Sequence, residues 1–168
     1  NPTGPLHVGF GRNVVIGDAL ANVLDAAGYQ VQREDYVNDA GTQIQLFGQS
    51  LYARYAQALG QEAEFPEKGY RGQYIVDWAR EIAAAEGDRY LQMDYEEAVQ
   101  TLADLGVQEK VLGSVRADCE RLSIHYDNWF FERSLYSEGV FDRVMSLLRQ
   151  ENHLELREGA VWFKASDL

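Results

Sequence analysis

The chain opens Asn1-Pro2-Thr3-Gly4-Pro5-Leu6-His7-Val8-Gly9-Phe10-Gly11-Arg12, and the reading of this stretch decides the fold. Pro2 and Pro5 fix backbone dihedrals, Gly4, Gly9 and Gly11 permit close backbone approach, and His7 falls where a loop must become a helix. Behind it Ile16, Leu20, Val23, Leu24 and Ala27 recur at helical spacing. A stiff, glycine-punctuated loop that feeds a helix leaves several backbone N–H groups unpaired, and the helix dipole adds partial positive charge there. Such a place suits a phosphate or a carboxylate. The glycines alone are also compatible with a plain turn and helix start.

Working outward, the pattern predicts a helix over 11–27 that ends near Gly28, where a glycine suits a left-handed cap. A strand is expected over 29–37, although its centre, Gln32-Arg33-Glu34-Asp35, is a poor match to a buried parallel strand. Asn38-Asp39-Ala40-Gly41 then forms the loop at its carboxyl end, with Asp39 placed to cap the next helix. Loops at that end of a strand are where open α/β sheets bind ligands. Ile44, Phe47, Leu51 and Tyr55 mark a helix over 42–59, and Gly60, Pro66 and Gly69 mark a loop over 60–69. Another helix carries Ile75, Trp78, Ala79 and Ile82 on one face and breaks at Gly87-Asp88. A long helical pattern over 95–122 contains Gly106 and Gly113, either of which could kink or divide it. A strand over 124–131, a helix over 134–150 with Val140, Val144, Leu147 and Leu148 inward, and a hairpin turning at Glu158-Gly159 complete the chain.

Composition bounds the function. The 168 residues are one domain's worth of chain, and 46% hydrophobic content can build a core. No apolar run approaches a membrane span and nothing at the start reads as a signal peptide, so no membrane role is expected. Cys119, the single cysteine, fits a reducing, cytoplasmic compartment and falls on an apolar helical face, as a small core residue would. Three scattered histidines and one cysteine offer no metal-binding spacing, so no metal site is expected in the chain itself. Fifteen Lys and Arg against 27 Asp and Glu leave a net charge of −12, which argues against a free-standing nucleic-acid binder but not against local contact through clustered arginines.

The order of motifs, Asn-Pro-Thr-Gly-Pro-Leu-His-Val-Gly, a helix, then Tyr36-Val37-Asn38-Asp39-Ala40-Gly41, resembles the class I aminoacyl-tRNA synthetases, and specifically the arginyl-tRNA synthetase family. Further resemblance runs through Phe65-Pro66-Glu67-Lys68-Gly69-Tyr70-Arg71-Gly72, Trp129-Phe130-Phe131-Glu132-Arg133-Ser134-Leu135 and Gly159-Ala160-Val161-Trp162-Phe163. One departure is plain: Phe10 stands where the family's His-x-Gly-His signature has its second histidine.

The resemblance implies an α/β fold: an incomplete Rossmann-like (HUP-type) nucleotide-binding domain begun by residues 1–60, with residues 61–168 a mostly helical connective insertion ending in a β-hairpin. It implies an enzyme that activates L-arginine with ATP, accompanied by Mg²⁺, to arginyl-adenylate and transfers it to tRNA(Arg). On this reading the signature loop, Thr3, Gly4, Pro5, His7, Gly9 and Phe10, holds ATP, with His7, Gly9 and Phe10 at the catalytic centre. Asn1, Asn38 and Asp39 would serve arginine. No strand precedes Asn1 and no Lys-Met-Ser-Lys-Ser-like loop occurs, so the chain is expected to be a piece of a larger enzyme and inactive alone.

Adenylation needs no protein nucleophile; it needs two aligned substrates and offset charge at a five-coordinate phosphorus. His7 could donate from one ring nitrogen toward phosphate, or it could be a loop histidine satisfied by a carbonyl. Gly9 would let the nucleotide lie against bare backbone. Phe10 could pack on the nucleotide, or mark a catalytically silent synthetase-like module that binds nucleotide or tRNA; another nucleotidyltransferase of the same fold stays open too. Asn1 is also a plausible turn residue before Pro2. Tyr70, Arg71 and Tyr74 mix aromatic and basic groups as a tRNA-end contact might be built, and equally as a packed helix start is. His125 and His153 lack a partner carboxylate at fixed spacing and read as structural.

Overall fold

His7, rather than Gly11, is where the first helix begins. In the computed structural model, which describes residues 1–167, His7 has extended backbone (φ −116°, ψ 167°) and its side chain caps α1, Val8–Ala26. The capping bond from the Gly9 N–H supplies a start signal that the glycine-rich composition hid. Gly28, with φ 89°, takes the left-handed conformation expected just past the helix end. The described residues form two units, Asn1–Phe130 and a second that starts at Phe131.

α1 is apolar around much of its circumference, yet Ala21 is its one buried residue, while Val15, Ile16, Leu20 and Val23 stand exposed. Its other side, with Phe10, Val14, Gly17 and Ala21, shares a cleft with residues 32–35. Arg33 ties the two together: Nε donates to Asp18 Oδ1 at 3.2 Å and Nη2 to Asn22 Oδ1 at 2.6 Å. Strand β1, Glu34–Val37, pairs with β2, Asn128–Phe131, in a two-stranded sheet. Both strands are shorter than the apolar alternation predicts. The polar residues ahead of each are used differently, Arg33 N–H donating to Asp127 Oδ2 at 2.7 Å and Arg33 C=O accepting from Asp127 N–H at 2.8 Å.

The core of this unit is helical. α2 (Thr42–Ala58), α3 (Gln73–Glu86) and α4 (Tyr95–Leu105) pack together, with α2 at the centre. Ile44, Phe47, Leu51 and Tyr55 are buried as their spacing predicts, and Ile75, Ala79, Ile82, Ala98, Val99 and Leu102 meet them. Each large side chain so buried contributes about 1.5–3 kcal/mol. Gly48 lets α2 and α4 approach: a Cβ there would lie 2.5 Å from the Val99 carbonyl oxygen and 2.8 Å from Ala103 Cβ. The Tyr55 hydroxyl donates to Gly87 C=O and accepts from Tyr90 N–H, pinning the chain just beyond α3. Ser50, fully buried, donates to Leu46 C=O at 2.7 Å and accepts from Tyr70 N–H at 2.9 Å, which fixes the 60–72 loop on α2.

The long pattern over 95–122 is divided where Gly106 predicts it. α4 runs into a π-helical segment, Gly106–Val111, before α5, Leu112–Arg121. A Cβ on Gly106 would meet the Phe47 ring at 2.7 Å, so the missing side chain admits that ring, whereas Gly113 lies inside α5 with open space around it. Cys119 is buried, and burial pushes its thiol pKa up, with Asp35 and Asp118 adding to the shift; it is a core residue.

One cap differs from expectation. The residue before α2 is Gly41, at φ 85°, with no side-chain capping bond. Asp39 lies two residues before that position, buried to 4% exposure, and its N–H donates to Val37 C=O.

In the second unit, α6 (Glu132–Ser137) and α7 (Val140–Gln150) replace the single helix expected over 134–150, because Gly139 at φ 68° turns the chain between them. The apolar face of α7 is not buried: Val144 and Leu147 remain exposed. Strands β3 (Leu154–Arg157) and β4 (Ala160–Phe163) form the expected antiparallel hairpin, Leu154 opposite Phe163. Glu158 and Gly159 at its tip both have positive φ, 52° and 78°, the twist a two-residue hairpin turn requires. Among the described residues no helix is long and apolar enough to cross a membrane.

Candidate functional site

The loop 1–7 reaches the start of α1 held by a turn of its own backbone and by a side chain of α3. Thr3 N–H donates to Asn1 C=O at 2.9 Å, closing a turn that Pro2 begins. Tyr74 of α3 donates its hydroxyl to Thr3 C=O at 2.8 Å, and a Cβ on Gly4 would lie 3.1 Å from that oxygen, so Gly4 is small because the phenol is there. Burial raises the Tyr74 phenol above its ordinary pKa, with Tyr70 adding, so it remains a donor. The packed reading of Tyr74 therefore has a specific bond behind it. Tyr70 likewise meets Phe47 edge-on, at 6.0 Å between ring centroids. Arg71 lies 5.3 Å from the Phe65 ring centre, and Arg54 lies 4.4 Å from the same ring.

At the helix start, His7 Nδ1 accepts the Gly9 N–H at 3.1 Å and His7 C=O accepts the Gly11 N–H at 3.0 Å. The imidazole and the Phe10 ring are neighbours, 4.6 Å between centroids and tilted by 47°. No acidic side chain occupies the first turn of α1. His7, Gly9 and Phe10 are all exposed, and they stand together. A Cβ on Gly9 would lie 3.0 Å from His7 Cε1.

Asn1 turns toward the opposite side of the loop. Its Nδ2 donates to Gln43 Oε1 at 2.6 Å, which carries the first residue to the start of α2, the helix that follows Asn38 and Asp39. Asn38 is half-buried and Asp39 buried. A cleft of about 120 Å³ opens beside Asn1, its wall including Gly4, Phe10, Asp35, Val37 and Tyr126. Desolvation raises the Asp35 carboxyl above the ordinary aspartate range. Gln43, Tyr74 and Asp35 were not foreseen as neighbours of the signature loop. Their bonds span 42 and 71 residues of chain in the first two cases, and no local pattern announces them. Among the described residues no group of three or more His, Cys, Asp and Glu side chains could hold a metal ion.

Comparison with known proteins adds a family to this geometry. The family model described as tRNA synthetases class I (R), catalytic domain, matches residues 1–161. An arginine–tRNA ligase of Dehalococcoides mccartyi is 46% identical over 166 residues, covering 99% of this chain and 30% of the relative. That of Carboxydothermus hydrogenoformans is 46% identical over 168 residues, covering 100% of this chain and again 30% of the relative. A crystal structure from Campylobacter jejuni, named for an arginyl-tRNA synthetase, superposes with a TM-score of 0.80 at 36% identity, over 99% of this chain and 36% of its own. The chain thus spans about 30% of the length of the curated relatives it matches. By a match that runs from the signature loop through β3 and into β4, the chain belongs to the family of class I tRNA synthetase (R) catalytic domains.

Proposed function

We propose that this chain supplies part of the ATP and arginine site of an arginine–tRNA ligase. The observation that carries the proposal is the signature loop of this family held at an uncapped-by-acid helix start, with His7 beside it. ATP's phosphates lie at the N-terminus of α1, and His7 donates from its outer ring nitrogen to a phosphate oxygen as charge develops in adenylation. Thr3, Gly4, Pro5, Gly9 and Phe10 shape the loop around the nucleotide. Asn1, with Asn38 and Asp39 beyond β1, serves the arginine side, and the product is arginyl-adenylate passed to tRNA(Arg). Residues 1–60 begin a Rossmann-like (HUP-type) nucleotide fold, residues 61–168 are its connective insertion, and the enzyme works in the cytoplasm.

Mg²⁺ accompanies ATP in such chemistry. No ligating cluster exists among the described residues, so they do not fit a protein-held ion and no step is assigned to one.

A second reading, a catalytically silent nucleotide- or tRNA-binding module, is favoured by Phe10 and by the net charge of −12. ATP–pyrophosphate exchange in the full-length protein tests both. Phe10→His should change the KM for ATP of a working enzyme and do nothing in a silent module. Absence of arginine-dependent exchange in the unaltered full-length protein would end the first reading.

A further inference from the structure

We propose that Gly9 is a positioning residue for His7, setting both where the imidazole lies and which of its nitrogens carries the proton. The inference rests on the reading of His7 as a phosphate donor only for its consequence in catalysis; the geometry stands apart from it.

Two observations converge on the same ring. The Gly9 N–H points at His7 Nδ1 at 3.1 Å. A ring nitrogen that accepts an N–H has its lone pair engaged and carries no proton, so the neutral imidazole must hold its proton on Nε2. That is the nitrogen turned away from the backbone, and it is left as a donor. The second observation is steric. A Cβ on residue 9 would lie 3.0 Å from His7 Cε1 and 3.1 Å from Nδ1, so a side chain there crowds the ring in the position where the hydrogen bond forms. One atom's worth of empty space and one N–H thus act on the imidazole from the same residue. The Phe10 ring, 4.6 Å from it, is an aromatic neighbour of the imidazole and offers it no hydrogen bond.

The competing explanation is that residue 9 is glycine to let the nucleotide touch bare backbone. The two differ in the ATP-free protein. Only the positioning role makes the His7 tautomer depend on residue 9 when no nucleotide is present.

The test uses the full-length protein labelled with ¹⁵N-histidine, with the His7 signals identified by their loss in His7→Asn. Long-range ¹H–¹⁵N correlations on the ATP-free protein should show His7 protonated on Nε2. Gly9→Ala should give a mixture of tautomers, together with a fall of about tenfold to a hundredfold in kcat/KM for ATP in pyrophosphate exchange, the effect of misaligning a hydrogen bond to a charged group. An Nδ1–H tautomer or an even mixture in the unaltered protein overturns the proposal, and this measurement decides it even where Gly9→Ala does not fold. A Gly9→Ala protein that loses activity but keeps a pure Nε2–H signal also overturns it, in favour of nucleotide contact. If the tautomers behave as stated while His7→Asn leaves exchange unchanged, the Gly9 inference holds and the assignment of His7 to phosphate fails.

Discussion

Gly48→Ala and Gly113→Ala are the same substitution inside a helix, and they should move stability in opposite directions. Relieving a helix-interior glycine is worth about 0.8–1 kcal/mol by propensity alone, and at Gly113, where an added Cβ meets nothing within 4 Å, that gain should be realised nearly in full. At Gly48 the new carbon would sit 2.5 Å from the Val99 carbonyl oxygen, which is backbone and cannot swing away. Carbon–oxygen contacts settle near 3.3–3.6 Å, so α2 and α4 must part by roughly 0.8 Å. A gap of that size forfeits about a quarter to a half of each affected dispersion contact. The interface concerned holds Phe47, Leu51, Ala98, Leu102 and Ala103, all buried. Overpacking of this kind costs about 1–3 kcal/mol, which outweighs the propensity gain. The two variants should therefore differ by roughly 2 kcal/mol, and with a urea slope of about 2 kcal/mol/M their midpoints should separate by about 1 M. Urea titration followed by far-UV circular dichroism gives the answer directly. A Gly48→Ala chain as stable as Gly113→Ala would refute the claim that this glycine sets the closeness of α2 and α4.

Other consequences can be measured alongside. Tyr55→Phe strips a donor from Gly87 C=O and an acceptor from Tyr90 N–H, and the unfolding free energy should drop by about 1–3 kcal/mol; an unchanged urea midpoint would contradict the buried pairing. Tyr74→Phe releases Thr3 C=O, so the signature loop should loosen and the KM for ATP of the full-length protein should rise about twofold to tenfold, with stability nearly unchanged. Asp35 has a carboxyl pKa raised by desolvation, so the folded chain binds a proton more readily there than the unfolded one, and stability falls as pH rises through the window above the ordinary aspartate value. Asp35→Asn should consequently stabilise the chain at neutral pH, and the advantage should shrink as pH falls into the aspartate range; equal gains at both would show that ionisation of Asp35 is not the cause.

The helices of the core were legible because Ile44, Phe47, Leu51 and Tyr55, or Ile75, Ala79 and Ile82, repeat at a period that one buried face enforces. The strands were read too long. A two-stranded sheet needs only the residues that pair, and Arg33 and Asp127, polar and adjacent to the ladder, bond to each other beyond its end instead. The start of α1 was misplaced because histidine is not a usual cap, and Asp39, a usual one, is held in a turn short of the helix it was expected to cap. At the site, the residues adjacent in sequence, His7, Gly9 and Phe10, were found together. Gln43 and Tyr74, joined to the loop from α2 and α3, belong to tertiary packing that only coordinates disclose.

The π-helical turn at Gly106–Val111 makes chain length there a matter of phase. Such a turn is an α-helix carrying one surplus residue, and each residue of an α-helix advances the winding by about 100°. Excising one residue between Gly106 and Val111 would leave a regular α-helix with Leu112 and Cys119 close to their present phase, because the wide turn already absorbs the surplus residue. Single-residue deletions in this turn should accordingly be borne, whereas one inside α5 ahead of Cys119 should be rejected, since it turns that buried residue by about 100°.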